Sequence, residues 1–213
     1  MTLAIEAASV DLKKALKPLF NPPRTPVLVD VPELGYLMID GHGAPEESPT
    51  QPRTDFQASF GAIFPVLYTM KFALKPRGVQ MPILPLEALW MTADDGSFDM
   101  LVPPERWSWR VLVAVSADVT QAVFDDAVAA VRKKKGDTDH LGRLRFERWR
   151  EGRCAQVMHV GPYADERPTI EGLHAFIAAQ DLRMRGAHHE IYLGDPRTAD
   201  PAKLKTVLRQ PVE

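Results

Sequence analysis

Two stretches of the chain resemble each other, and each has the same place in a similar series of predicted elements. The first is GHGAPEESPT at 41–50 and the second is HVGPYADERPT at 159–169. Each follows a strand-like run, at 34–40 and 155–160, and each precedes apolar residues with helical spacing. A strand that carries a glutamate and then a last strand follow in both cases. The sequence therefore predicts two tandem βαββ units, which indicates an internal duplication.

The expected fold class is α+β, with the helices on one sheet face and the other face free. Residues 1–30 are expected to be a lead-in, with a short helix at 12–16, before a first half at about 31–117 and a second at about 140–213. A linking helix is predicted at about 118–136, capped by Thr120 and ended by Gly136. Pro65, inside the first long helical pattern, predicts a kink or two shorter helices. A pseudo-twofold relation between the halves would form a groove suited to a small ligand.

Composition excludes several classes of protein. The 213 residues carry a net charge of −2, which gives no electrostatic case for binding nucleic acid or an anionic membrane. The basic run at 132–135 is expected to be a solvated helix end. The single cysteine, Cys154, is expected to be a buried structural thiol. Without a secretory leader or a membrane-spanning run in the sequence, we expect a cytoplasmic protein that contacts no membrane.

The run HHEIYLGDPRTA at 188–199 predicts a short strand that ends at a Gly-Asp-Pro turn. Side chains alternate along a strand, so His188, Glu190 and Tyr192 share one face while His189 and Ile191 share the other. In an apolar groove Glu190 would be a candidate general base or acid. Judged by residue type alone, a strand glutamate is more often solvated or ion-paired than it is a general base or acid.

Adjacent strand residues point to opposite faces, so His188 and His189 cannot chelate one ion together, and we expect no metal site. The sequence contains no glycine-rich phosphate loop and no Gly-x-Ser-x-Gly motif. Nucleotide binding and serine-nucleophile chemistry are therefore unsupported.

Four motifs follow one another along the chain: LYTMKF at 67–72, PLEALW at 85–90, HVGPY at 159–163 and EIYLGDPR at 190–197. Together and in this order, they resemble the gyrase-inhibitor-like (GyrI-like) small-molecule-binding family. The resemblance implies two βαββ units with a ligand groove between them. Some relatives are the effector-sensing half of transcription activators, and a stand-alone subgroup with long inserts hydrolyses cyclopropanoid genotoxins. The family pattern has a glycine at position 88 and a second aromatic residue after Trp90, where this chain has Ala88 and Met91.

The resemblance also implies roles for individual residues. Glu190 would activate water or polarise the substrate. Because Tyr192 shares the face of Glu190, we expect its phenol to stabilise the oxyanion that forms as the ring opens. Glu87 is the pseudo-equivalent of Glu190 and would couple to it if both face the groove. The remaining expected ligand-binding residues supply a wall or a polar contact: Trp90, Trp109, Tyr68, Tyr163, His188 and Met91.

Two functions remain open at this point. One is a cofactor-independent hydrolase that detoxifies hydrophobic cyclopropanoid compounds. The other is a non-catalytic binding module, such as a ligand sensor, a sequestering protein or a gyrase inhibitor. In either case the expected ligand is a hydrophobic aromatic or cationic small molecule, and a weak homodimer is compatible with the sequence.

Overall fold

The computed structural model describes residues 16–45 and 54–213. Six strands are present: β1 (Val27–His42), β2 (Leu86–Met91), β3 (Ser108–Val115), β4 (Arg145–Val160), β5 (His188–Tyr192) and β6 (Lys205–Pro211). Five α-helices accompany them: α1 (Lys17–Phe20), α2 (Asp55–Leu74), α3 (Gln121–Lys135), α4 (Asp139–Arg143) and α5 (Arg167–Ala179).

The six strands form a closed antiparallel barrel in the order β1-β3-β2-β5-β6-β4. The fold is therefore α+β, as the sequence predicts. The order strand, helix, strand, strand occurs once from β1 to β3 and again from β4 to β6. Pairing repeats as well, because the third strand of each set lies between the other two. The two sets join through β1–β4 and β2–β5.

Barrel closure corrects one expectation, which is that the second sheet face would be free. That face is the barrel interior, and it is filled. Tyr36, Met38 and Leu112 are all at most 1% exposed there. α1 contributes to the closure, since Arg209 Nη2 donates to the carbonyl of Leu19 at 2.8 Å. Part of the expected lead-in is therefore structural, while the helix expected at 12–16 lies almost wholly outside the described residues.

The longer helices cover the outside of the barrel unevenly. α2 packs on β1 and β3, α5 packs on β4, and α3 and α4 pack on α2. The outer face of the β2–β5 pair therefore lies between α2 and α5. This face is called the seam below.

Local sequence signals account for the helix boundaries. The side chain of Thr54 caps α2 through the amide of Gln57, and Thr120 caps α3 through the amide of Val123. The predicted linking helix is thus present. α2 is one 20-residue helix that contains Pro65, so the alternative of two shorter helices is wrong. Its apolar stripe packs on the barrel, and this burial outweighs the roughly 3 kcal/mol cost of an interior proline.

Cys154 lies in β4 and is fully buried, as the sequence predicts. Burial and the nearby Glu151 raise the pKa of its thiol far above the ordinary value. The thiol is therefore protonated and unreactive at neutral pH.

Candidate functional site

Six side chains share the seam because partners in an antiparallel pair point to the same face. Ala88 lies opposite Glu190 at its centre, with Trp90 opposite His188 on one side and Leu86 opposite Tyr192 on the other. The predicted alternation along β5 is confirmed: His188, Glu190 and Tyr192 point to the seam. Their carboxylate, phenol and imidazole groups lie on an apolar floor supplied by β2.

Glu190 is held by its neighbours on the same strand. The hydroxyl of Tyr192 donates to Glu190 Oε2 at 2.7 Å. The Nε2 atom of His188 lies 3.4 Å from Glu190 Oε1, within ion-pair range but without hydrogen-bond geometry. Only 16% of the Glu190 side chain is exposed. The Glu190 side chain is therefore mostly buried but not fully enclosed.

Opposing effects determine the charge of Glu190. Burial raises the pKa of its carboxyl, but His188, Tyr192 and Trp90 together outweigh burial and bring the pKa below its ordinary value. Burial and the adjacent Glu190 raise the pKa of Tyr192 well above its ordinary value. At neutral pH the seam therefore contains an ionised carboxylate that accepts a hydrogen bond from a protonated phenol.

Aromatic rings surround the end of the seam nearest Trp90. Phe98 stacks on His188, with ring centroids 5.6 Å apart and planes 21° apart. Trp107 lies edge-on to both Phe98 and Trp90, at 4.9 and 5.6 Å. Phe56 on α2 lies 5.0 Å from Trp90. These flat surfaces suit a planar hydrophobic ligand that reaches Glu190.

A second carboxyl, that of Glu166, adjoins Glu190. It lies directly before α5, and the residue is 5% exposed. Burial first, and then repulsion by Glu190, raise the pKa of Glu166 to about 9. Sequence reasoning missed this residue, because a glutamate just before an apolar helical stripe is typical of an exposed helix start.

Tyr163 joins this group from the short turn Tyr163–Asp165, which follows the second repeated motif. Its ring packs edge-on against Tyr192, with centroids 5.6 Å apart. Burial and the nearby Glu166 and Glu190 raise the pKa of Tyr163 to about 12. Of the sequence-predicted residues, the structure thus brings five together: Glu190, Tyr192, His188, Trp90 and Tyr163.

Glu87 lies elsewhere, which corrects its expected coupling to Glu190. Glu87 alternates with Ala88 along β2 and so points into the barrel, where it is 1% exposed. Its Oε2 atom lies 3.0 Å from Nε2 of His189. The two glutamates are on opposite faces of the sheet, so a ligand in the seam cannot touch both.

The other predicted ligand-binding residues also lie away from Glu190. Trp109 is opposite Trp90 but fully buried, packed edge-on against Phe56 at 5.4 Å. Tyr68 is 46% exposed on α2 and stacks on Phe72. Met91 ends β2 opposite Ser108, one residue beyond Trp90 and so on the other face. Trp109 is thus a core residue and does not bind a ligand in the seam.

Inside the barrel, a buried charge network surrounds His189. Its Nδ1 atom lies 2.9 Å from Glu151, and Arg209 donates to the same carboxylate at 3.0 Å. Burial raises the pKa of Glu151, but His189 and Arg209 outweigh this and lower it to about 2. Carboxylate neighbours likewise outweigh burial at His189 and raise its pKa. Sequence reasoning placed His189 on the core face but did not identify its partners, which are remote along the chain.

No three histidine, cysteine or acidic side chains are grouped to hold a metal ion within residues 16–45 and 54–213. In the same part of the chain, no helix is long and apolar enough to cross a membrane.

Comparison with solved structures decides the family. An uncharacterised conserved protein from Listeria innocua is 35% identical, with a TM-score of 0.84 over 95% of this chain and 98% of its own. The model of the GyrI-like small molecule binding domain matches residues 112–213. The chain belongs to the GyrI-like family. Glu190 and Tyr192 thus lie within the matched part of a GyrI-like small-molecule-binding domain.

Two further solved structures extend the comparison. A protein from Listeria innocua described as a hydrolase is 33% identical, with a TM-score of 0.80 over 95% of this chain and 98% of its own. The C-terminal domain of EcmrR is 16% identical, with a TM-score of 0.55 over 89% of this chain and 97% of its own, and shows the shared fold alone. No protein with a curated description matches the sequence.

Proposed function

We propose that this GyrI-like protein hydrolyses hydrophobic cyclopropanoid compounds and so detoxifies them. One observation carries the proposal: a carboxylate kept ionised, 2.7 Å from a protonated phenol, on an aromatic-walled seam. Its charge and fixed orientation allow this carboxylate to accept a proton from water, although a lowered pKa makes it a weaker base than one that titrates near neutral pH. The Listeria relatives described as hydrolases, 33 and 34% identical, support the reaction class.

The substrate would lie in a groove along the seam, between α2 and α5. Phe56, Phe60 and Phe64 recur every four residues on α2, with successive centroids 5.1 and 6.5 Å apart. Phe56 touches Trp90, so this aromatic row begins at the seam and supplies one wall. Repetition of element order and pairing supports our inference that the two halves arose by duplication, which would place the groove on their pseudo-twofold axis.

The chemistry uses the strain of the cyclopropane ring. Glu190 takes a proton from water as the water oxygen bonds to a ring carbon. The carbon–carbon bond to that atom breaks, and its electron pair moves into the conjugated dienone to give a phenolate. A proton delivered to the phenolate oxygen completes the addition of one water molecule. The reaction needs no redox cofactor, because the addition of water neither oxidises nor reduces the substrate.

Tyr192 has a different role from the one first expected. Its hydroxyl donates its hydrogen bond to Glu190 and is therefore not available to donate to a substrate carbonyl. We therefore assign to Tyr192 the task of orienting the carboxylate and holding it ionised. His188 adds to this effect, since its imidazole lies 3.4 Å from Glu190 and lowers the pKa of the carboxyl.

A second candidate function is ligand binding without turnover. An ionised, mostly buried carboxylate beside Trp90 and Phe98 also suits a cationic aromatic ligand. The same seam would then act as a sensor or sequestering site. Mass spectrometry separates the two functions, since only hydrolysis adds water to the ligand.

The decisive experiment follows a cyclopropane-dienone compound by mass spectrometry in the presence of the wild type, E190Q or E33Q. Glu33 is an exposed strand glutamate on β1 and serves as the matched control. We expect addition of one water with the wild type and E33Q, and loss of turnover with retained binding in E190Q. Intact compound bound by all three proteins would establish the binding module instead.

A further inference from the structure

Glu166 is a buried carboxyl for which the mechanism so far has no use. It is 5% exposed, and its Oε1 atom has no hydrogen-bond partner among the described residues. Leaving a buried acceptor unpaired is unfavourable, because the group loses its hydrogen bonds to water. Such a group is retained when something else needs it, and here the adjoining group is Glu190.

Residues of β6 that lie opposite Tyr192 and Glu190 indicate where Glu166 lies relative to the seam. Thr206 on β6, opposite Tyr192, is close enough to lower the pKa of Glu166, although it lacks hydrogen-bond geometry. Leu208, opposite Glu190, belongs to the same buried cluster as Ile170 in the first turn of α5. The amide of Glu166 donates to the carbonyl of Tyr163 at 3.1 Å, and the Tyr163 ring packs on Tyr192, so Glu166 lies on the α5 side of the seam close to Tyr192.

Its surroundings keep Glu166 protonated at neutral pH. Burial and the ionised Glu190 raise its pKa to about 9. The other titratable groups near the two carboxyls come from four elements: Tyr192 and His188 on β5, Tyr163 in the turn, His174 on α5 and His159 on β4. Burial, followed by the nearby His188, lowers the pKa of His174, so that histidine is neutral and offers Glu166 no counter-charge.

We propose that Glu166 is the acid of the reaction and donates its proton to the substrate oxygen that becomes negative as the cyclopropane opens. This inference rests on the proposed hydrolase function. Glu190, as a carboxylate, would accept a proton from water, and Glu166, as a protonated carboxyl, would donate one to the substrate.

The proton balance closes over one turnover. Glu190 gains a proton from water, the new carbon–oxygen bond replaces the broken carbon–carbon bond, and Glu166 gives its proton to the phenolate oxygen. The product carries one added hydroxyl and one phenol. Transfer of the proton from Glu190 to Glu166, directly or through solvent, restores the starting state.

Tyr192 is the competing donor, and two observations count against it. Its hydroxyl hydrogen is engaged by Glu190 at 2.7 Å. Burial and Glu190 also hold its pKa well above the ordinary value. A proton held this tightly is delivered less readily than that of a carboxyl whose pKa is near the working pH.

The test measures kcat and KM from pH 6 to pH 10 for the wild type, E166Q, E166D and the control E171Q, with a cyclopropane-dienone substrate. Glu171 is an exposed glutamate on the same helix. We expect a wild-type kcat that falls as pH rises through about 9, since the donor is then lost. E166Q should lower kcat about 100-fold or more with little change in KM and should remove that alkaline limb, whereas E171Q behaves as wild type.

The outcomes separate the two proposals. If the wild type turns over the substrate and the kcat of E166Q is within about threefold of the wild-type kcat, the donor role is overturned. The hydrolase function then remains intact. A wild-type kcat that is flat from pH 7 to pH 10 would overturn it without any variant. E166D keeps an acid at this position, so it should recover part of the rate and an alkaline limb. This variant tests the donor role even if E166Q misfolds. Absence of wild-type turnover would overturn both proposals.

Discussion

The hydroxyl of Tyr192 donates to Glu190, two residues earlier on β5, at 2.7 Å. Residues two apart on a strand share a face, so this contact needs no long-range folding event once the strand exists. Burial raises the pKa of the carboxyl, but His188 and, after it, the hydrogen bond from the phenol lower that pKa and keep the carboxylate ionised. The pair is thus ready to accept a proton at neutral pH.

Tyr192→Phe should keep the ring packing on Tyr163 and remove only the hydrogen bond. The pKa of Glu190 should rise, because burial then acts with less opposition. We expect kcat at pH 6 to fall about 10-fold to 100-fold, with the acid limb of the rate profile moved to higher pH. Tyr68→Phe, on the exposed side of α2, is the control. An unchanged acid limb would show that the phenol does not tune the carboxylate.

The pH dependence of stability should reveal the state of Glu166 independently of turnover. Its pKa is about 9 in the folded protein against an ordinary value of 4.5, so the folded state binds the proton more tightly. The resulting stabilisation is present below about pH 4.5 and is lost as pH rises towards 9.

Glu166→Gln mimics the protonated carboxyl and removes this dependence. Its free energy of unfolding should match the wild type near pH 4.5 and exceed it by roughly 1–3 kcal/mol at pH 8, as measured by urea denaturation. A difference that stays constant between these two pH values would mean that Glu166 is already ionised.

Arg209 should be essential to the barrel interior. Arg209→Met leaves the carboxylate of Glu151 buried with only His189 beside it and removes the bond to the carbonyl of Leu19. Breaking a buried pair from one side costs about 3–5 kcal/mol. Chemical denaturation should show this loss, whereas Arg197→Met, which removes a side chain that is 85% exposed, should leave stability nearly unchanged.

Glu151 should contribute to acid unfolding. Its pKa is about 2 in the folded protein against an ordinary 4.5, so its stabilisation is present above about pH 4.5 and is lost as pH falls towards 2. Thermal unfolding of the wild type should show Tm falling steeply in that interval. Arg209→Met should flatten the fall, because the folded-state pKa of Glu151 rises towards its ordinary value.

Gly41 should tolerate no side chain. A Cβ atom there would overlap the Trp109 ring and the Asp55 carboxylate. Overpacking of this kind typically costs 1–3 kcal/mol. A lower urea midpoint is expected for Gly41→Ala, whereas Gly172→Ala, in an open position on α5, should raise it slightly. Equal midpoints for the two variants would contradict this packing.

The helices and strands could be predicted from the sequence because their signals are local. The apolar stripe of α2, the caps of Thr54 and Thr120 and the alternation along β5 all lie within short windows, and each element is present. Alternation alone assigned His188, Glu190 and Tyr192 to one face. The resemblance then singled out Glu190 and Tyr192 among many polar strand residues.

The sequence by itself determined the order of the elements, the family and the side chains that accompany Glu190 on its strand. Only the tertiary structure decided that the sheet closes, that Glu87 lies with His189 in the interior, and that Glu166 is buried near enough to Glu190 for the two carboxyls to affect each other. These results depend on pairings such as Ala88 with Glu190, between strands from different halves of the chain. Local periodicity does not encode the register between such strands, because this register results from the joint burial of both halves.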